Sequence, residues 1–148
     1  MSKIIIGIDP DSKAHGVAIY HNGELTELLN CTLLDLFRLV GDTFFDYISF
    51  NDFEIHIEDT CAMSAVFRQR QGGNQAINMK MSNSIGKCQQ SQIELERVFK
   101  SFNVKVVKHK ISKMWKKDKA QFEKATGWTG RSNEDTRSAA YFGYLGCK

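Results

Sequence analysis

Apolar residues run from Ile4 to Ile8, interrupted only by Gly7, and the run stops at Asp9-Pro10. A β-branched run bounded in this way predicts a strand buried on both faces at the centre of a sheet, with Asp9 where the strand meets solvent. The turn of residues 10–13 leads into residues 16–20, a second strand that returns beside the first as a hairpin. His21-Asn22-Gly23 supplies the next turn, and residues 24–30 alternate as a third strand. From Leu33 to Ile48 the positions Leu33, Leu36, Phe37, Val40, Phe44 and Tyr47 recur at three and four, the stripe of a helix with one face on the sheet, weakened by Gly41. Residues 53–58 alternate again as a fourth strand that ends in Glu58-Asp59. Residues 61–75 have no period and carry Arg68, Arg70 and Gly72-Gly73, which reads as a mobile, basic loop. A long helix from about Ala76 to Phe102 follows, with Ile85, Cys88, Gln92, Leu95, Val98 and Phe99 on one stripe. A short fifth strand is predicted over residues 104–108. The lysine-rich residues 111–125 have Met114, Trp115 and Phe122 as apolar anchors. A last helix over residues 134–145 has Ala139, Ala140, Phe142 and Tyr144 to pack.

This order predicts an α/β fold: a five-stranded mixed sheet, three antiparallel strands and then two parallel ones, flanked by helices. At 148 residues, without a linker, repeat or low-complexity tract, the expectation is one domain over residues 1–148. Apolar runs fall well short of the ~20 residues that span a bilayer, and Met1-Ser2-Lys3 leads directly into the first strand, so a cytoplasmic, non-membrane protein is expected. Cys31, Cys61, Cys88 and Cys147 are widely spaced and suggest reduced thiols, not a zinc site or a disulfide framework.

Charge adds an asymmetry. Up to Thr60 there are 3 basic and 11 acidic residues; beyond it there are 17 basic and 6 acidic ones. An acidic half containing a site and a basic half beyond it suit a metal-assisted enzyme acting on a polyanion. Two solvated faces of opposite sign are the simpler account, and charge alone favours it.

The acids sharpen the picture by their positions. A crossover helix lets the fourth strand lie parallel to the first, and neighbouring strands are about 4.8 Å apart, so Asp9 and Glu58 would reach one divalent ion. A hard cation such as Mg²⁺ removes the repulsion of such a pair. Glu134 or Asp135, at the start of the last helix, could complete a two-ion site. Each acid also has a plainer reading, and Ser132-x-x-Asp135 has the shape of a helix capping box. It is the conjunction of acids at two strand ends and one helix start that describes a site.

In these motifs the chain resembles the RuvC-like Holliday junction resolvases of the ribonuclease H-like superfamily, over nearly its whole length. Ile6-Gly7-Ile8-Asp9-Pro10 with Gly16-Val17-Ala18 is similar to the family's opening motif. Ile55-His56-Ile57-Glu58 is similar to its second acidic strand, and Asp135-x-x-Ser138-Ala139-Ala140 to its final helix. Ser84-Ile85-Gly86-Lys87 followed by Val104-Lys105-Val106-Val107 keeps the family's order. Sugar-kinase and actin-like ATPases open similarly but need two such domains to enclose a nucleotide, so no nucleotide cofactor is expected. Two departures stand out. Ser138 occupies a position where the family usually has an acid, and Cys61 one where bacterial members have an aromatic residue that probes the junction; Phe67 is a candidate substitute.

The resemblance implies a Mg²⁺-dependent endonuclease, with Mn²⁺ able to substitute and two ions per site. It would resolve branched DNA by paired hydrolysis to 5′-phosphate ends and act as a homodimer through the long helix, matching the two-fold symmetry of a four-way junction. Asp9, Glu58 and Asp135, with Glu134, would hold the ions, and Lys116, with Lys113 as second choice, would stand near the scissile phosphate. Nine lysines between Lys100 and Lys124 are more than a solvated face requires. Lys110, Lys113, Lys116 and Lys117, with Arg68, Arg70 and Arg131, are the candidate DNA contacts, and at least half of the nine lysines are expected only to solubilise. A related nuclease acting on RNA or flaps, or a degenerate junction-binding protein, are the alternatives; Ser138 keeps the latter open.

Overall fold

The computed structural model describes residues 2–38, 52–62 and 75–148. Strands β1 (Lys3–Asp9), β2 (His15–His21) and β3 (Glu24–Cys31) are followed by α1, described over residues 33–38. Then come β4 (Asp52–Glu58), a 3-10 turn (Thr60–Ala62), α2 (Gln75–Ser101), β5 (Lys105–His109), α3 (Lys119–Thr126) and α4 (Glu134–Cys147). The sheet order is β3-β2-β1-β4-β5. β1 pairs antiparallel with β2 and β2 with β3, while β4 runs parallel to both β1 and β5. The predicted mixed sheet is therefore the one observed, with β1 in its centre as its unbroken apolar run requires.

Side-chain alternation divides the two faces. Ile4, Ile6 and Ile8 of β1 and Ile55 and Ile57 of β4 pack with Leu36 of α1 and with Leu95 and Phe99 of α2. Ile5 packs on the other face with Ala18, Tyr20, Trp115, Phe122 and the α4 residues Ala139 and Ala140. Asp9 shares the parity of Ile5, and Glu58 is out of step with Ile55 and Ile57, so both acids belong to the face that α4 covers.

Glycine lets α4 lie close to that face. A Cβ on Gly7 would collide with the Ala139 carbonyl oxygen, and one on Gly16 with the Asp135 carbonyl oxygen. The Tyr20 hydroxyl donates to the Ala140 carbonyl at 2.7 Å, a buried bond that fixes the helix along its axis. The start of α4 is thus referenced directly to the hairpin that carries Asp9.

Several expectations change. Residues 39–48 of the predicted first helix, and Phe67, Arg68 and Arg70 of the predicted loop, lie outside the described residues. The loop's described beginning is a 3-10 turn. α2 is buried only through Gln92, Leu95 and Phe99 in its second half; Ile77, Met79 and Met81 in its first half are exposed. In the lysine-rich stretch only α3 is helical. Trp115 and Phe122 anchor that stretch as expected, whereas Met114 is exposed. No helix among the described residues is long and apolar enough to cross a membrane.

Candidate functional site

The ends of β1 and β4 are one step apart. Ile8 pairs with Ile57 in parallel register, which sets Asp9 beside Glu58. The following turn is held firmly. Asp59 N–H donates to the His109 carbonyl at 2.7 Å, and Gln92, fully buried on α2, clasps the next residues. Its Oε1 accepts from Thr60 Oγ1 at 2.6 Å and from Cys61 N–H at 3.1 Å, while its Nε2 donates to Asp59 Oδ1 at 3.0 Å. A buried amide satisfied by three partners of one turn ties α2 to the strand end that carries Glu58.

Asp135 reaches the site because it does not cap its helix. Asn133 is the N-cap: its side chain accepts from Thr136 N–H at 2.9 Å, and Thr136 Oγ1 accepts from Asn133 N–H at 2.9 Å. The expected cap formed by Ser132 and Asp135 is thus replaced by one formed a residue later, and the Asp135 carboxylate is left for other work.

Asp9, Glu58, Asp135 and Lys116 line one cleft of about 240 Å³, together with Asp11 and, from α2, Ser84, Ile85 and Cys88. Asp9 and Glu58 are 6% and 7% exposed, so their carboxyls face each other largely out of water. Burial, with the hydrogen bond and charge of Asp9, raises the Glu58 pKa to about 9, only partly opposed by Lys116. Burial and Asp9 also raise Asp135. Lys116 Nζ stands 3.6 Å from Asp9 Oδ2. Burial pulls down the pKa of Lys116, but Asp9, Glu58 and Asp135 outweigh it and the net shift is upward.

Asp9 Oδ2 in this cleft is buried without a hydrogen-bond partner, and so is Ser138 Oγ, which follows Asp135 by three residues on α4 and does not line the cleft. Orphaned buried oxygens and acids that must share a proton are the condition a hard divalent cation relieves, and carboxylates are the donors such a cation prefers. The residues therefore fit a Mg²⁺-type ion. Among the described residues, no group of three or more His, Cys, Asp or Glu side chains is already arranged as a metal cage. The site is an acid pair with a third acid at its rim.

Other candidates lie elsewhere. Glu134 is exposed and does not line the cleft, because consecutive helix residues diverge by about 100°. Arg131 borders a separate recess with Leu28, Asn30 and Asn133. Lys110, Lys113 and Lys117 are exposed near Lys116 in sequence. Lys100, Lys105, Lys108 and Lys119 are paired with Glu96, Glu54, Glu96 and Glu123, respectively. Missed in the sequence were Asp11, two residues beyond Asp9, and the part played by Gln92, which an apolar stripe had absorbed.

No protein-family model matches the chain, and a search of curated proteins finds no match. Among solved structures, the chain is similar to T. thermophilus RuvC in complex with a Holliday junction substrate. The TM-score is 0.53, over 96% of this chain and 90% of that one, at 11% identity. The fold is RuvC-like. At this identity the likeness is one of fold, and the chemistry has to be argued from the cleft itself.

Proposed function

We propose that this chain is a divalent-metal-dependent endonuclease that cuts branched DNA, with four-way junctions as its principal substrate. The observation that carries the reading is the convergence of Asp9, Glu58, Asp135 and Lys116 on one cleft, in which a buried oxygen of Asp9 accepts no hydrogen bond and, among the described residues, has only the ion pair with Lys116. Asp9 and Glu58 would hold the ions, with Asp135 as the third acid. A divalent ion held by these acids would supply an activated water and stabilise the negative charge that develops at the phosphate.

The protein's own side chains do the rest. Attack in line on phosphorus breaks the P–O3′ bond, giving a 3′-hydroxyl and a 5′-phosphate. Lys116 Nζ, already within ion-pair distance of Asp9, is available to a non-bridging oxygen as its charge grows. Lys110, Lys113 and Lys117, for which no ion pair is found among the described residues, would grip the backbone without reading sequence. The exposed Ile77, Met79 and Met81 of α2 support a homodimer that closes on this helix and presents two clefts to a two-fold junction.

The test is competition among a four-way junction, linear duplex, a flap and an RNA–DNA hybrid in Mg²⁺. Paired nicks bearing 5′-phosphates, with the junction preferred, are expected. Preference for the hybrid or flap would transfer the reading to a related nuclease. Tight junction binding without any cut would favour the binding protein that Ser138 keeps open.

A further inference from the structure

Arg137 follows Asp135 by two residues on α4, yet it does not line the cleft. It is 8% exposed, and among the described residues it has no carboxylate within ion-pair distance. Its guanidinium is spent on two backbone carbonyls and one hydroxyl. Nε donates to Trp115 O at 3.1 Å and Lys116 O at 3.2 Å, and Nη2 donates to Lys116 O at 2.8 Å. Nη1 donates to Ser132 Oγ at 3.1 Å, in the turn that precedes α4. One planar fork therefore spans the segment that presents Lys116 and the segment that presents Asp135.

The held segment is strained. Trp115 has φ +64°, a left-handed conformation that costs a bulky residue energy and persists only where its surroundings enforce it. Its ring is locked among Phe122, Tyr141 and Tyr144, with centroids 5.7, 5.4 and 5.1 Å away. Arg137, Tyr141 and Tyr144 lie at i, i+4 and i+7, so one stripe of α4 holds both the ring and the carbonyl of Trp115. The left-handed residue turns the chain so that one side chain enters the core and the next faces the acids.

Burying a cation on neutral carbonyls is expensive compared with an apolar side chain of similar volume, so the arrangement points to geometry and not to stability. We propose that Arg137 is a positioning residue that fixes Lys116 relative to Asp9 and Asp135 by holding the strained Trp115–Lys116 backbone. The effect on cleavage rests on the nuclease reading; the hold on the backbone does not.

The test compares the intact protein with Arg137→Lys and Arg137→Ala in single-turnover junction cleavage, in otherwise wild-type and Lys116→Ala backgrounds. Misplacing a group at the reacting centre by about 1 Å costs up to about 100-fold, and a loss of about 10–100-fold is expected with junction affinity unchanged. Methylguanidinium should restore part of the Arg137→Ala activity, and neither Arg137 change should cause any further loss once Lys116 is alanine. Equal losses in both backgrounds would overturn the proposal. Hydrogen exchange is the arm independent of activity: amides of residues 113–117 should exchange faster in Arg137→Lys, while those of residues 139–146 keep their protection. Unchanged exchange at 113–117, or loss of protection throughout α4, would refute the hold. If the intact protein cuts no nucleic acid, the nuclease reading fails and this arm alone decides the role of Arg137.

Discussion

Replacing Asp9 with asparagine should lower junction cleavage on the order of 10³-fold while leaving junction affinity within about threefold. The magnitude follows from the site: several kcal/mol of charge stabilisation is asked of the ions, and about 4 kcal/mol corresponds to roughly 10³ in rate. Asp9 is central because it meets Glu58 through strand register and Lys116 through an ion pair. Asparagine has the same shape but removes the negative charge that draws the cation in. Binding should survive because the phosphate contacts proposed for Lys110, Lys113 and Lys117 do not depend on Asp9. Single-turnover cleavage and a binding isotherm at one salt concentration check both halves. An Asp9→Asn protein that cuts at the wild-type rate would refute the site.

The metal-free protein should lose stability as pH rises from about 7 to about 8.5, and Glu58→Gln should remove the larger part of that loss. The folded state raises the Glu58 pKa to about 9 through burial and Asp9, so between the ordinary carboxylate range and that value the folded chain holds a proton that the unfolded chain has released. Stability falls with pH wherever the folded state binds more protons, by up to ~1.4 kcal/mol per pH unit for one proton. Over this interval that is about 2 kcal/mol, or roughly 4–8 °C in melting temperature for a chain of this size.

Other groups bear on the interval differently. His15 and His109 have pKa values lowered by burial, so their opposite contribution is confined to lower pH. The four cysteines, all raised by burial, act in the same direction as Glu58 and begin to contribute near the top of the interval, which Glu58→Gln leaves in place. Asp135 is raised and acts in the same direction as Glu58. Melting curves in EDTA at the two pH values check this, and a wild-type midpoint that holds or rises would contradict it. Saturating Mg²⁺ should remove most of the loss, since the ion replaces the proton.

The sheet was legible because its signals are local and periodic. The apolar run into Asp9, the alternation ending in Glu58 and the Asn-Gly turn each name a strand end, and the crossover rule sets β4 beside β1. The site was legible as far as acids at element ends can reveal it. Glu134 and Asp135 could not be told apart, because their separation depends on which residue caps α4, and Asn133 took the role assigned to Ser132. Gln92 and Arg137 act through backbone groups distant in sequence, which no period records. The one available signal for Arg137 was a cation at the head of the Tyr141–Tyr144 stripe, on a helix otherwise fit for burial.

Calorimetric titration of Mg²⁺ and Mn²⁺ into the metal-free protein asks whether Asp9, Glu58 and Asp135 form a divalent-cation site. Performed near pH 7.5 in two buffers of different ionisation enthalpy, it counts both ions and protons. Saturable binding is expected, with release of about one proton per site as Glu58 gives up the proton that burial and Asp9 impose, and with loss of both binding and release in Asp9→Asn. No detectable binding to the intact protein, or binding that Asp9→Asn leaves unchanged, would contradict it.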